Sequence, residues 1–374
     1  MIYSIKAFQS LLLLFLIIPF SSLHSNAQNL RPGFDGEEFV EILKINAQLS
    51  EHSSLISQIS KPKHSIKIYE SQEIGLKNKW SLWLQERKVG IISLRGSTMD
   101  TESWLVNFFA AQIPAKGTLE ISPSIRWNYE FSSNKRASVH AGYAFSSYFL
   151  LNDILPRIDS CYQRGIKEFI ITGHSQGGGL SYMINAAVTQ LQLQGDVPKD
   201  IKFKTYTSAS PKPGNLYFAY DYENRVKSDW SLHIVSTEDW VPQSPFTVQT
   251  LADLPEVSPL ELLESTINKQ SLIKRLLLKG IYKKVTKPSD KAVDIYQKYL
   301  GTFMGKQIQK YYPEFKIPSF AASNEYVRTG HQIILTPDEA YYKAFDSKKS
   351  EGQFMLHHST IAYYHLMKQI YGLD

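Results

Sequence analysis

Residues 171–180, ITGHSQGGGL, contain the side chain best suited to nucleophilic chemistry. Ser175 stands between β-branched residues and a run of glycines, in the pattern Gly-His-Ser-Gln-Gly. A serine on a sharp strand-to-helix turn projects its hydroxyl above the sheet, and flanking glycines avoid collisions with neighbouring backbone. The helix start also directs backbone N–H groups towards negative charge beside the serine. The stretch therefore predicts a nucleophile; a small residue in a tight corner is the alternative.

A glycine-rich phosphate-binding loop is the main structural rival for this stretch. Such a loop ends in Gly-Lys-Ser or Gly-Lys-Thr, whereas here Gly179 is followed by Leu180. A five-residue pattern also arises by chance, so it cannot decide alone. The rest of the chain must supply a base, an orienting acid and oxyanion donors.

The acid and the base are expected to follow the serine in the order Ser, acid, His. Asp239 comes directly after a predicted strand over 232–236, where open α/β sheets place functional groups, and Glu238 is the local alternative. The adjacent His357 and His358 lie at a predicted loop-to-helix junction and are the candidate bases. Two other late histidines fall within a predicted strand and a predicted helix and are expected to be structural: His331 and His365.

Alternating strands and helices must position these residues. Apolar spacing and breaker residues predict helices over 35–49, 139–155, 180–193 and 359–371. Strands are predicted over 169–172, 204–208 and 232–236, with hairpins over 80–94 and 324–335. This alternation predicts an α/β fold with a mainly parallel central sheet flanked by helices.

The chain ends and the charge distribution suggest an exported protein with a helical insertion. In residues 1–27, Lys6 precedes an apolar run and small residues precede Gln28, as in a signal peptide; an uncleaved anchor is the alternative. We expect residues 28–374 to form one domain, secreted or periplasmic, and the single Cys161 allows no intramolecular disulfide. Residues 255–312 are predicted to be a helical insertion. Residues 269–316 carry twelve Lys or Arg against three acidic residues.

That basic stretch has two interpretations, solvated helix faces or contact with an anionic lipid surface. Leu276, Leu277 and Leu278 among cations suit a bilayer surface. Nucleic acid is not an expected partner, because the stretch shows no recognised binding motif. No clustered Cys, His and carboxylate ligands appear, so no metal or other cofactor is expected.

Four blocks of sequence resemble, in order, motifs of the fungal-type class 3 lipases, which are α/β-hydrolases. They are LRGST at 94–98, followed by Trp104 and Asn107; VHAGY at 139–143; GHSQGGGL at 173–180, followed by YTSASPKPGN at 206–215; and STEDWVP at 236–242. The likeness extends over roughly residues 65–250 and 320–370. Gln176 departs from it, because the family usually has Leu at this position.

The resemblance implies a role for each site residue. Ser175 would be the nucleophile, Asp239 the acid, and a C-terminal histidine the base; the spacing to Tyr363 favours His358 over His357. The backbone N–H groups of Ser97 and Gln176 would form the oxyanion hole, with the Ser97 hydroxyl as a further candidate donor. By the same reasoning Arg95 would brace the oxyanion loop, and His140 would be structural.

The expected function is that of a serine ester hydrolase acting on lipid esters such as acylglycerols. A phospholipase A1, a small-ester or feruloyl esterase, and a non-catalytic lipid-surface binding protein are the alternatives. The apolar run at 103–115, SWLVNFFAAQIPA, is expected to line an acyl groove, to form a lid, or to be an ordinary buried helix.

Overall fold

The computed structural model describes residues 29–50, 57–255, 257, 259–346 and 353–372. The predicted signal peptide, residues 1–27, lies outside the described residues. In the part of the chain that is described, no helix is long and apolar enough to cross a membrane.

A seven-stranded sheet forms the centre of the molecule. In their order across the sheet, the strands are β1 Ser65–Glu70, β2 Trp80–Gln85, β3 Val89–Leu94, β8 Glu168–His174, β9 Lys202–Ser208, β10 Ser231–Ser236 and β11 His331–Leu335. The first three strands pair antiparallel, and every pair from β3 onwards is parallel. The inner strands β3, β8 and β10 are buried along nearly their whole length, which explains their continuous apolar runs.

Helices cover both faces of this sheet. The α-helices are α1 Gly36–Ala47, α2 Thr101–Phe108, α3 Ala141–Gln163, α4 Gln176–Gln194, α5 Leu216–Val226, α6 Pro259–Asn268, α7 Leu272–Tyr296, α8 Met304–Ile308, α9 Glu339–Ala344 and α10 Thr360–Tyr371. Helices α1 and α10 belong to one apolar core, whereas α2, α3 and α4 belong to the other. Together with the nucleophile turn described below, this arrangement confirms the predicted α/β-hydrolase fold.

Two small antiparallel sheets lie beside the main one. Strands β4 Gln112–Pro114 and β7 Ser138–His140 form the first, and β5 Lys116–Ser122 and β6 Ile125–Glu130 form the second. The apolar run at 103–115 is therefore divided between α2, a connecting turn and β4. On α2, Leu105 and Val106 are buried, whereas Trp104 and Phe108 line the main cavity.

The predicted hairpin at 324–335 is wrong. Only its second half forms a strand, β11, which pairs in parallel with β10 and not with its own upstream neighbour. Asn324 and Val327 instead form isolated bridges with Val248 and Gly214. Gly330, at a φ of +84°, separates the two halves of the segment. A parallel partner distant in sequence leaves no local turn signal, which explains the error.

Residues 255–312 are mainly helical in their described part, as the sequence predicted. Helices α6 and α7 are followed by a π-helix, Gln297–Phe303, and by α8. In α7, Val293 is the one buried residue, so most of this helix lies away from both cores. The π-helix that follows contacts the rest of the molecule: the Leu300 carbonyl accepts a backbone hydrogen bond from the Ala111 N–H at 3.1 Å.

Candidate active site

Ser175 occupies a sharp turn between β8 and α4. Its φ of +60° and ψ of −130° lie outside the regions usual for a residue with a side chain. A Cβ on Gly173 would collide with the backbone of Gly177, and a Cβ on Gly177 would collide with the carbonyl of Leu94. The glycines therefore permit close strand–helix contact, and the tertiary contacts start the helix at Gln176 instead of the predicted residue 180.

A chain of hydrogen bonds joins Ser175, His358 and Asp239. The Ser175 Oγ lies 2.8 Å from His358 Nε2, and His358 Nδ1 lies 2.9 Å from Asp239 Oδ2. The side chains of His358 and Asp239 are 8% and 0% exposed. Asp239 follows β10, and His358 lies just before α10, so two segments separated by more than a hundred residues meet above the nucleophile.

Asp239 is fixed by two further donors. The Tyr363 hydroxyl donates to Oδ2 at 2.8 Å, and the Val241 N–H donates to Oδ1 at 2.9 Å. The Ser236 N–H in turn donates to the Tyr363 hydroxyl at 3.0 Å. In the sequence, Tyr363 indicated only the distance from the candidate base to the last helix. Its contact with Asp239 depends on how α10 packs near the end of β10.

The alternative candidates point elsewhere. His357 Nδ1 lies 2.8 Å from the Tyr341 hydroxyl, away from Ser175. Glu238 accepts a hydrogen bond from the exposed Tyr342. The structure therefore brings His358 and Asp239 to Ser175. It places His357 and Glu238 in contact with other residues. The two remaining candidates lie on β11 and α10: His331 and His365.

A polar network joins the loop after β3 to the start of α4. The Ser97 hydroxyl donates to Gln176 Oε1 at 2.9 Å, and Asn107 Nδ2 donates to both Ser97 Oγ at 2.8 Å and Gln176 Oε1 at 2.9 Å. The Ser97 hydroxyl hydrogen thus points to Gln176, which does not support the expectation that it is a further oxyanion donor. The sequence had not predicted that the Gln176 side chain would connect these elements.

The two backbone N–H groups expected at the oxyanion hole belong to the start of α4 and to the loop after β3. Gln176 is the first residue of α4, where a helical N–H has no acceptor within its own helix. Gly96 precedes Ser97 and approaches the turn closely, since a Cβ there would lie 3.5 Å from the Ser175 Cβ. The loop is therefore close enough to the nucleophile to direct donors at a substrate oxygen.

Arg95 and His140 make hydrogen bonds that hold the segments around the oxyanion loop. The buried Arg95 guanidinium donates to Glu73 at 2.7 Å and to the Lys77 carbonyl at 2.8 Å. His140 caps α3 by accepting from the Tyr143 N–H at 3.4 Å, and its Nε2 contacts the Asn107 carbonyl at 3.2 Å. Burial lowers the pKa of His140 to about 3, so it is neutral at ordinary pH.

His174, the residue before the nucleophile, also lies within this site and is partly buried. Its Nε2 lies 2.7 Å from the His358 carbonyl oxygen, and its Nδ1 lies 3.0 Å from the Ser208 hydroxyl. Burial, and secondarily the charge of His358, lowers the pKa of His174 to about 3. In the sequence, His174 is distinguished only by its place in the serine pattern.

A cavity of about 1300 Å³ opens at Ser175 and His358. Its wall includes large apolar side chains from α2, the loop after β10, the π-helix and the segment before α10: Trp104, Phe108, Trp240, Phe246, Leu300 and Phe354. Phe246 and Phe354 are 78% and 68% exposed at its edge. The volume exceeds that of a typical small-molecule pocket, about 300–1,000 Å³. Among the described residues, no group of three or more His, Cys, Asp or Glu side chains could hold a metal ion.

Comparisons with known proteins agree with the motif analysis over the central part of the chain. Residues 91–249 match the family model described as Lipase (class 3). No curated protein matches the chain.

Three solved structures illustrate a modest similarity. The native propeptide complex of Rhizomucor miehei lipase is 17% identical, covers 58% of this chain and 66% of its own, and has a TM-score of 0.42. A Rhizopus microsporus var. chinensis lipase is 19% identical, covers 56% of this chain and 69% of its own, and has a TM-score of 0.41. A Yarrowia lipolytica lipase is 18% identical, covers 59% of this chain and 78% of its own, and has a TM-score of 0.42. This chain spans less than two thirds of the length of the Rhizomucor miehei propeptide complex.

The matched region contains the loop with Ser97, the turn with Ser175 and the strand end with Asp239, whereas His358 lies beyond it. The resemblance drawn from the sequence motifs is thereby confirmed over residues 91–249, which match the class 3 lipase family model.

Proposed function

We propose that this protein is a serine carboxylic ester hydrolase that cleaves lipid esters such as acylglycerols. The observation that carries the proposal is the hydrogen-bonded chain Ser175–His358–Asp239 at the opening of a large, mostly apolar cavity. The match of residues 91–249 to the class 3 lipase family model supports the same reaction. An acyl chain needs an apolar wall beside the nucleophile, and the aromatic residues of α2 and of the loop after β10 provide one.

In the proposed mechanism, His358 Nε2 removes the Ser175 hydroxyl proton as the serine oxygen attacks the ester carbonyl. Asp239 accepts the Nδ1–H, holds the imidazole in the required tautomer and stabilises the imidazolium. The backbone N–H groups of Ser97 and Gln176 receive the oxyanion, and one such donor is typically worth about 3–4 kcal/mol of barrier. The alcohol leaves with the proton from His358. Water then hydrolyses the acyl-enzyme by the same steps.

We also propose that the protein acts outside the cytoplasm, secreted or periplasmic. The support is the sequence of residues 1–27, with Lys6 ahead of an apolar run and small residues before Gln28.

A lipid surface is the proposed partner of the basic stretch. On α7, Ile273, Leu277, Ile281 and Val285 are spaced by four residues and are 81%, 65%, 51% and 72% exposed. Seven Lys or Arg residues share the helix, and its two acids come only near its end. Exposed aliphatic groups can enter a bilayer surface while lysine stems extend to the headgroups, so an anionic surface fits both features.

The first prediction tests the reaction and its substrate class. Parent protein should hydrolyse p-nitrophenyl esters and triolein, and Ser175→Ala should retain no more than a few per cent of the activity because the nucleophilic oxygen is lost. Circular dichroism should show an unchanged fold. Preference for phosphatidylglycerol would favour the phospholipase A1 alternative, and activity confined to short or feruloyl esters would favour the esterase. A folded parent protein that hydrolyses none of these substrates would reject the proposal.

The second prediction compares two adjacent histidines, which have the same side chain but different contacts. His358→Ala should reduce kcat by about 10⁴-fold or more, as removal of a triad base does. His357→Ala removes a contact with Tyr341 and should cost far less. Steady-state kinetics on one soluble ester measures both variants. A larger loss for His357→Ala would contradict the assignment of the base.

The third prediction concerns the lipid surface. Changing four α7 cations to Gln (Lys274, Arg275, Lys283 and Lys284) should lower activity on phosphatidylglycerol-containing vesicles tenfold or more at low salt. Each cation near an anionic surface contributes about 1 kcal/mol, and salt should reduce the difference. Activity on soluble p-nitrophenyl butyrate should not change.

A matched control removes four exposed cations that precede β3, β8 and β9, at the sheet end opposite Ser175: Arg87, Lys88, Arg164 and Lys199. This variant should keep its activity on the same vesicles. Equal loss in both variants would indicate a general charge effect, and no loss in the α7 variant would leave the basic stretch as a solvated surface.

A further inference from the structure

His174 is a partly buried, polar side chain that the proposed reaction does not use. It lies at the end of β8, next to the nucleophile in sequence, and both of its ring nitrogens have partners. A polar side chain whose two nitrogens are both hydrogen-bonded holds its neighbours in position, because breaking either bond leaves a polar atom of a buried residue, Ser208 or His358, unpaired.

The partners determine the protonation of the His174 ring. The His358 carbonyl oxygen can only accept, so Nε2 must carry the hydrogen that bridges the 2.7 Å distance. In the neutral ring Nδ1 is then an acceptor, and the Ser208 hydroxyl donates to it at 3.0 Å. Burial lowers the pKa of His174 to about 3, which agrees with a neutral ring. The His358 carbonyl oxygen thus selects the tautomer, and the Ser208 hydroxyl supports it by donating to Nδ1.

Ser208 also holds the nucleophile turn from the neighbouring strand. Its carbonyl oxygen accepts the Ser175 N–H at 2.9 Å, while its hydroxyl contacts His174. The connections therefore form a closed ring. Ser175 is bound to Ser208 through the backbone, Ser208 to His174, His174 to the His358 backbone, and the His358 imidazole to the Ser175 hydroxyl at 2.8 Å.

We propose that His174, supported at Nδ1 by the Ser208 hydroxyl, is a positioning residue that fixes the backbone of the base relative to the nucleophile. The proposal rests on the proposed hydrolase function. Asp239 orients the imidazole of His358, but it is the His174 N–H that holds the carbonyl of the same residue. An error of about 1 Å in such a constellation can cost on the order of 10²-fold in rate.

The ring contacts of His174 suggest the substitutions to use. Its ring lies 5.1 Å from that of His358 and 5.3 Å from that of Tyr363, so Phe can keep this packing while removing both hydrogen bonds. Gln can supply an N–H in place of Nε2–H. At position 208, Ala removes the donor to Nδ1 and Thr keeps a hydroxyl.

The test measures kcat and KM for a soluble p-nitrophenyl ester. His174→Phe should lower kcat by about 10- to 100-fold with KM within threefold of the parent, and His174→Gln should recover at least part of that loss. Ser208→Ala should also lower kcat, Ser208→Thr should restore it, and the double variant with His174→Phe should be no slower than His174→Phe alone. Such non-additivity is expected of residues that act through one connection.

His233→Phe is the control, because His233 is a buried histidine on β10 whose ring makes no hydrogen bond to His174, Ser208 or the triad residues in the described structure. It should keep the parental kcat even if it lowers the melting temperature. A kcat within twofold of the parent for His174→Phe, a loss carried by KM alone, or multiplying effects of the two positions would overturn the proposal. The absence of ester hydrolysis by the folded parent would instead reject the proposed function.

Discussion

The close contact between β8 and the start of α4 is the constraint on which the rest of the site depends. Gly173 and Gly177 approach each other and the end of β3 so closely that no side chain fits at either position. The chain can reverse there only if Ser175 adopts a positive φ. Strain of this kind, about 1–3 kcal/mol per residue, persists only where surrounding structure enforces it. The contact therefore both exposes the serine hydroxyl and directs the first N–H of α4 beside it.

Parallel strands explain how the remaining groups reach that hydroxyl. Ser175, Ser208 and Asp239 follow or end β8, β9 and β10, whose carboxyl ends meet at one edge of the sheet. His358 arrives from a loop and not from a strand, so its position needs separate fixation. Three contacts supply it: Asp239 at Nδ1, Ser175 at Nε2, and His174 at the backbone carbonyl. Because the nucleophile is rigid and the base lies on a loop, the geometry of the site depends on these three hydrogen bonds.

The sequence predicted those features of the site that depend on neighbouring residues in the chain. The strand before Ser175, the strand before Asp239 and the helix after His358 all follow from apolar periodicity and breaker residues, and the order of the blocks indicated the fold. The start of α4 could not be predicted, because three consecutive glycines disfavour a helix that tertiary contacts nevertheless impose. The Asn107–Ser97–Gln176 network joins distant segments, so no local signal reveals it. The pairing of β11 with β10 was missed for the same reason.

Covalent labelling of Ser175 tests the central claim most directly. The protein is incubated with a fluorophosphonate, digested, and analysed by mass spectrometry to locate and count the adduct. An activated serine should give one adduct per chain, located on Ser175, and His358→Ala should show almost none after the same incubation. A folded protein that gives no adduct, or carries it on another residue, would contradict the account.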